Sequence, residues 1–265
     1  MTTMSDEPEV APAFKKSVAR EYLESIVVAV ILALFIRTFA VQAFKIPTGS
    51  MEENLLIGDH LLVNKLVYSP SAGQLENTLL AKRPIERGDV VVFKFPEKPE
   101  RDFIKRVIGL PGETVEIRNK QVYIDGEPLD EDEQVCRKDE RDAMVCEDAD
   151  ASDEGPYKIF FLRPPRPPGD PEFGLHAGAT GDNYGPQVVP EGELLVLGDN
   201  RDNSRDSRYW GFLPVDQVKG RALLVYWSYE ATREEYHRTG WVDWIKDTLS
   251  AFGRTRWDRF FHVIH

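Results

Sequence analysis

An unbroken apolar stretch of 11 residues, Ile26 to Ile36, constrains the fold of this chain more than any other feature. With its neighbours it forms the segment YLESIVVAVILALFIRTFAVQAF, residues 22–44, which reaches the roughly 20 mainly apolar residues that a membrane-spanning helix needs. Arg37 interrupts the segment in its C-terminal half, where a long side chain can extend to the membrane interface. We therefore expect one transmembrane helix over residues 22–44.

The charges around this segment predict its orientation. Lys15, Lys16 and Arg20 precede it, which by the positive-inside rule keeps residues 1–21 in the cytoplasm and places the chain after residue 45 outside. A cleavable signal peptide, with a basic start and a small-residue exit at Ala43, fits the same pattern equally well. A buried core helix fits less well, because the segment lacks a polar face.

From residue 59 onward the chain is mainly strand-like. Short runs rich in Val, Ile, Leu and aromatic residues are separated by turn residues, and no long helical pattern lies between them. This predicts a mainly β, antiparallel and barrel-like domain over residues 45–235. The runs are HLLVNKLVYS, GDVVVFKF, DFIKRVIGL, ETVEIRNKQVYIDG, GELLVLGD and RALLVYWSYE.

The negative charge of the chain is concentrated in one segment. The net charge of −12 argues against a nucleic-acid partner. Residues 130–154 hold 12 Asp or Glu against 3 Lys or Arg, which predicts a solvated acidic insert in preference to a metal site. Cys136 and Cys146 lie in this insert without a C-x-x-C motif or a His pair, so zinc is disfavoured. Whether they form a disulfide depends on the compartment.

Two segments carry no clear function in the sequence. LRPPRPPGDPEFG, residues 162–174, is too rich in proline for a central strand and predicts an extended loop. The tail, residues 236–265, is amphipathic and could pack on the domain or lie on a membrane surface. Its apolar residues at helical spacing are Trp241, Trp244, Ile245, Leu249 and Phe252.

Ser50, in KIPTGSMEENLLIGD, is a candidate nucleophile that requires a base. Any of five histidines could in principle serve, although none stands in an informative motif (His60, His176, His237, His262 and His265). The alternative is a buried, neutral lysine. Lys65, Lys94 and Lys105 all lie on predicted strands, and alternation places Lys105 between Phe103 and Val107 on one face.

Three blocks together resemble the bacterial type I signal peptidases: IPTGSMEENLLIGD, RGDVVVFKFPEKPERDFIKRVIGLPGE and GDNRDNSRDSRYWGFLP. The resemblance covers roughly residues 25–228, with gaps. It implies a membrane-anchored Ser/Lys endopeptidase that removes signal peptides from exported proteins. It also implies an uncleaved anchor, a bacterial inner-membrane location with the catalytic domain periplasmic, and no metal or organic cofactor.

The resemblance further implies roles for individual residues. Ser50 would be the nucleophile, Lys105 the general base, and Thr48 would join the Ser50 N–H as an oxyanion donor. Ser204 would orient the lysine amine. A charged network would support the site without transferring protons, and it comprises Asp199, Arg201, Asp206 and Arg208.

The same resemblance implies how substrate binds. A signal peptide would add as a strand between residues 44–47 and 102–104. Shallow apolar pockets there would select Ala-x-Ala-type sites, and the implied substrate-binding residues are Ile46, Pro47, Asp102, Phe103 and Ile104. Implied partners are the signal peptides of exported preproteins, the lipid bilayer and, transiently, the secretion machinery.

Two other classes of protein compete with this interpretation. A non-catalytic, membrane-anchored β module that binds peptides would not need Ser50 and Lys105 together. A self-cleaving repressor-type Ser/Lys peptidase would be soluble and carry a DNA-binding part, which the apolar segment and the net charge of −12 disfavour.

Overall fold

The computed structural model describes residues 18–68, 82–138, 144–148, 157–161, 181–231 and 253–264. The chain divides into two compact units, Met1–Ala40 and Val41–His265. In the first unit, helix α1 spans Val18–Phe35 and a π-helical turn follows over Ile36–Ala40. Among the residues that the structure describes, no helix is long and apolar enough to cross a membrane.

The observed α-helix is shorter than the transmembrane helix predicted over residues 22–44, because α1 ends at Phe35. Residues 41–44 belong instead to strand β1, Val41–Lys45, which opens the second unit. β1 pairs antiparallel with β2, Asp59–Asn64, from Val41 opposite Asn64 to Lys45 opposite His60. These backbone groups obtain their hydrogen bonds from a sheet, and the α-helix ends before it reaches them.

The second unit is built of three β-sheets, which confirms the prediction of a mainly β, antiparallel architecture. Each of the six predicted runs contains a strand. The strands after β2 are β3 Val90–Phe95, β4 Lys98–Gly109, β5 Thr114–Arg118, β6 Gln121–Ile124, β7 Glu127–Pro128, β8 Asp132–Lys138, β9 Met144–Asp148, β10 Lys158–Phe161, β11 Tyr184–Val188, β12 Glu193–Leu197, β13 Leu213–Pro214, β14 Val218–Ser228 and β15 His262–Val263. A one-turn helix, α2, spans Ser207–Trp210.

The largest sheet has eight strands in the order β1-β2-β14-β3-β4-β12-β13, with β15 beside β14. The other two sheets have the orders β10-β8-β9 and β11-β5-β6-β7. All of these strand pairs are antiparallel except β10 with β8.

Strand β4 lies near the centre of the large sheet, between β3 and β12. Its residues from Ile104 to Gly109 are all buried. Ile104 joins one apolar cluster, Val107 a second and Ile108 a third. A polar side chain on this part of β4 is therefore removed from water on either face of the sheet.

The acidic segment forms more structure than the solvated insert that its charge suggests. Strands β8 and β9 form an antiparallel pair in which Cys136 lies opposite Cys146. Glu131, just before β8, is only 3% exposed because Arg201 and Tyr157 bind its carboxylate. One acidic residue at the start of the segment, Glu131, thus contributes to the interior of the second unit.

Residues 253–264, here called the C-terminal segment, pack on the main sheet. Its strand β15 pairs with β14, and Ile264 lies in the same apolar cluster as Met51. Arg259 donates to both carboxylate oxygens of the fully buried Asp59, at 3.2 and 2.7 Å. The proline-rich residues 162–174 and the predicted helical stripe over residues 241–252 lie outside the described residues.

Candidate active site

Ser50 lies in a tight 3-10 turn, Gly49–Met51, and contacts of both flanking residues hold this turn in place. The turn closes through a hydrogen bond from the Glu52 N–H to the Gly49 carbonyl at 3.1 Å. Met51 is fully buried in the core, which fixes the residue next to Ser50. A Cβ at position 49 would overlap only the end of the Glu52 side chain, so a larger residue there would require the Glu52 carboxylate to move aside.

The side chain of Lys105, on β4, contacts this turn. Its Nζ lies 2.6 Å from Ser50 Oγ, which is hydrogen-bond distance, and it also donates to the Ile104 carbonyl at 2.8 Å. Lys105 is 3% exposed and Ser50 is 8% exposed. The Phe103 ring, centred 5.6 Å from Nζ, covers the amine on the face that sequence alternation predicted.

The surroundings of the Lys105 amine favour its neutral form. Burial lowers the pKa of Lys105 from the ordinary value of 10.5 to about 8. The negative charges of Asp206 and Asp199 oppose this shift, and the positive charge of Arg208 assists it. A lysine of this kind is partly deprotonated near neutral pH and can accept a proton.

Exposure distinguishes Lys105 from the other two lysines predicted to lie on strands, of which Lys94 lies on β3 and Lys65 follows the end of β2. Lys94 is exposed and Lys65 is only partly buried, so neither is desolvated as Lys105 is. Of the histidines, His60 packs its ring against Tyr226 and Trp227, and His262 is exposed. His176, His237 and His265 lie outside the described residues.

A cavity of about 690 Å³ opens over the Ser50–Lys105 pair. An adjoining cavity of about 610 Å³ runs along β1 and the first half of β4. Thr48 is exposed and lines both, as do four of the five residues predicted to bind substrate (Pro47, Asp102, Phe103 and Ile104). The fifth, Ile46, lines only the second cavity and is otherwise packed in the core.

The strands beside these cavities have an open side. Strand β4 pairs with β12 only from Arg106 onward, so residues 102–105 are paired on one side, with β3, among the described strands. Strand β1 is likewise paired with β2 alone in that part of the chain. Both strands can therefore offer backbone N–H and C=O groups to an added strand.

Ser204 lies close to Ser50, although not in the predicted contact. A Cβ at Gly198 would overlap both the Ser204 side chain and the Ser50 carbonyl, so glycine permits this close approach. The buried Ser204 Oγ is near enough to Asp206 to favour its charged form, yet it meets hydrogen-bond geometry with no described residue. The amine of Lys105 bonds to Ser50 and Ile104 instead.

The residues of the predicted charged network belong to three ion pairs, and Arg208 also donates to the Arg201 carbonyl at 2.7 Å. The buried carboxylate of Asp199 receives two hydrogen bonds from Arg106, at 2.8 and 2.7 Å. Arg208 donates to both oxygens of Asp206 at 2.8 Å. Burial raises the pKa of Asp206, but Arg208 outweighs it and holds that pKa below its usual value. Both carboxylates near Lys105 are thus matched by an arginine.

Several residues at the site were not identified from the sequence. Asn54 donates to Asp199 at 2.7 Å, and Asn200 donates to the Gly49 carbonyl at 3.2 Å. Neither has a local signal beyond its place in the IPTGSMEENLLIGD and GDNRDNSRDSR blocks. Within the described part of the chain, no group of three or more His, Cys, Asp or Glu could hold a metal ion.

Comparison with known proteins gives a consistent family assignment. The sequence profile of the family described as "Signal peptidase, peptidase S26" matches residues 19–227. A signal peptidase I from Aquifex aeolicus is 36% identical over 236 residues, which cover 79% of this chain and 84% of that protein. A signal peptidase I from Pseudomonas aeruginosa is 31% identical, covering 81% and 75% respectively. The crystal structure of a signal peptidase I from Enterococcus faecalis covers 52% of this chain and 97% of that chain, at 31% identity and a TM-score of 0.30.

Proposed function

The chain belongs to the signal peptidase family, peptidase S26, and we propose on this basis that it is a serine endopeptidase that cleaves N-terminal signal peptides from exported proteins. The observation that carries the proposal is the 2.6 Å contact between Lys105 Nζ and Ser50 Oγ. A serine beside a buried lysine whose pKa is lowered to about 8 is an activated nucleophile.

In the proposed reaction, the neutral amine of Lys105 accepts the Ser50 hydroxyl proton as Oγ attacks the scissile carbonyl. The Ser50 N–H and the Thr48 hydroxyl, which lines the same cavity, donate to the oxyanion that develops. The amine then returns its proton to the departing amino group, leaving an acyl-enzyme. Lys105 next takes a proton from water, and the hydroxide equivalent releases the acyl group and regenerates Ser50.

We infer that substrate binds as an extended strand along the two adjoining cavities. The open sides of β1 and β4 supply main-chain hydrogen bonds, as in other cases of strand addition. Phe103 and Ile104 narrow the space next to Ser50, which favours small side chains before the cut and hence Ala-x-Ala-type sites. Phe103 is itself held by a stacked contact with Phe95, at 4.2 Å between ring centroids.

We further infer that the apolar residues within 22–40 hold the enzyme at a bacterial inner membrane, with the second unit in the periplasm. Large apolar side chains of α1 are exposed, from Val18 at 67% to Phe35 at 59%. An exposed apolar surface of this extent needs a partner such as the bilayer. Lys15, Lys16 and Arg20 before the apolar run keep the N-terminus on the cytoplasmic side.

The decisive experiment is processing of an exported precursor by the full chain in detergent. We expect Ser50→Ala and Lys105→Ala each to lower the cleavage rate at least about 1,000-fold, because either change removes the nucleophile–base pair. Circular dichroism and thermal melting should show that both variants stay folded. Lys94→Ala, which removes an exposed strand lysine, is the matched control and should cleave normally.

Retained processing by Lys105→Ala would exclude the Ser/Lys mechanism. If wild type itself binds precursor without cutting it, the chain is a peptide-binding module and not a peptidase.

A further inference from the structure

Asn200 contacts both peptide groups that flank the Ser50 Cα, although it has no role in the mechanism described above. Its backbone N–H donates to the Ser50 carbonyl, and its side-chain Nδ2 donates to the Gly49 carbonyl, each at 3.2 Å. Asn200 is only 2% exposed, so water does not compete for these bonds. One residue thus holds the nucleophile turn at two points.

The bond to Gly49, together with the bond from the Glu52 N–H to the same carbonyl, determines where the Ser50 N–H points. A peptide group is planar and trans, so its C=O and N–H bonds point in opposite directions. The Gly49 carbonyl and the Ser50 N–H belong to the same peptide group. When Asn200 fixes the carbonyl on its own side, the N–H is directed to the other side.

We propose that Asn200 is a positioning residue that aims the Ser50 N–H at the oxyanion through its side-chain bond to the Gly49 carbonyl. This rests on the proposed peptidase function, in which that N–H is an oxyanion donor. An oxyanion hole is effective only if its donors are oriented before the reaction begins.

Asn200 is itself rigidly held. The preceding residue, Asp199, receives two hydrogen bonds from Arg106 and accepts the Phe160 N–H at 2.8 Å. Arg106 follows Lys105 directly on β4. The two-residue segment Asp199–Asn200 therefore connects to the base through Arg106 and to the nucleophile through Gly49 and Ser50.

The oxygen of the Asn200 amide determines how strongly replacing Asn200 affects stability. Only the NH₂ group of an amide can donate to a carbonyl, so Oδ1 must point away from Gly49. Oδ1 is buried and has no hydrogen-bond partner among the described residues. A buried acceptor without a partner lowers stability, so replacing Asn200 removes one favourable bond together with one unfavourable group. Melting temperature should therefore change little when the rate falls.

The test compares Asn200→Leu, which keeps the volume but has no donor, and Asn200→Ala with wild type, as full chains in detergent. We expect the limiting kcat to fall about 10- to 100-fold, less than the roughly 100- to 1,000-fold cost of losing an oxyanion donor outright. The KM for a signal-peptide substrate and the pH midpoint of the rate should not change, because neither strand contacts nor the Lys105 environment is altered.

Two binding measurements separate positioning from a general structural effect. A peptide aldehyde places the oxygen of its hemiacetal with Ser50 where the oxyanion forms, so its affinity should fall by the same factor as kcat. Uncleaved peptide, measured in the Ser50→Ala background, should bind equally well with and without Asn200. Asn183→Ala is the matched control, because Asn183 also bonds a backbone group, the Asn119 N–H at 2.9 Å, but does so in a distant turn.

Unchanged kcat in both Asn200 variants would overturn the proposal, as would a shift of the pH midpoint with no loss of limiting rate. Equal losses for aldehyde and uncleaved peptide would also overturn it, since they indicate a collapsed site. These outcomes differ from a failure of the proposed peptidase function itself. In that case wild type would not cleave at all, or Ser50→Ala would still cleave.

Discussion

The Lys105 amine shows how strongly burial alters the chemistry of one residue. Lowering its pKa from 10.5 to about 8 corresponds to a bias of about 3 kcal/mol against the ammonium form. Two carboxylates oppose this bias, Asp199 and Asp206, and each is bound by an arginine. Pairing them reduces their net field at the amine, so desolvation remains the larger effect.

The pH dependence of cleavage follows from this pKa. In the proposed mechanism the neutral amine is the base, so kcat/KM should rise with pH through a midpoint near 8 as Lys105 loses its proton. Asp206→Asn should move the midpoint lower, because the carboxylate of Asp206 favours the ammonium form. Initial rates on a soluble peptide between pH 6 and 10 measure both. A rate that is flat or falls over this range would exclude Lys105 as the base.

The C-terminal segment contacts the loop that follows Ser50 and packs Ile264 in the same apolar cluster as Met51. Asp59 at the start of β2 accepts hydrogen bonds from Ser228 Oγ at 2.6 Å and the Leu56 N–H at 2.8 Å, as well as from Arg259. Arg259 also donates to the Asn54 carbonyl at 2.8 Å. One arginine of this segment thereby connects β2, β14 and the loop that follows Ser50.

We expect Arg259→Ala to lower the free energy of unfolding by about 2–3 kcal/mol, because it leaves the fully buried Asp59 carboxylate without its closest cation. Chemical denaturation of the full chain measures the loss. The control is Arg118→Ala, which breaks an exposed pair with Glu116 and should leave stability unchanged. A double-mutant cycle with Asp59→Asn that shows no coupling between the two positions would contradict this assignment.

The strands were predictable from the sequence because alternation and turn residues are local signals. Which strands lie next to each other in the sheets was not predictable from these signals. Lys65, Lys94 and Lys105 carry similar patterns, and only the covering of β4 on both faces distinguishes Lys105. The family resemblance selected Lys105 where alternation could not. The burial of Glu131 was missed because its partner, Arg201, is 70 residues away and a run of acidic residues normally indicates solvation.

At the scale of the whole molecule, the chain separates the apolar helix from the unit that carries the candidate site. The division falls between Ala40 and Val41, just before β1. Every residue of the proposed dyad, oxyanion site and substrate groove belongs to the second unit. Its apolar clusters draw on that unit alone, from Ile46 to Ile264.

A chain that begins at residue 41 should accordingly fold and cleave a soluble signal-peptide analogue with kcat/KM within about threefold of the full chain. On a precursor bound to vesicles it should be much slower, because it lacks the apolar segment that concentrates the enzyme at the bilayer. Parallel assays with both substrates make the comparison, and Ser50→Ala in the shortened chain gives the background. Loss of folding on removal of residues 1–40 would show that the two units are not independent.

The long-range contacts of the site also impose an order on its biosynthesis. A nascent chain contains Ser50 and Lys105 once residue 105 has been translated, but Asp199 and Asn200 follow 94 and 95 residues later, and Arg259 later still. The ribosome therefore delivers the reactive groups well before the groups that orient them. Until then, an incomplete chain carries this serine and lysine without the groups that fix the Ser50 turn, so we expect cleavage to begin only after residue 200 has been translated.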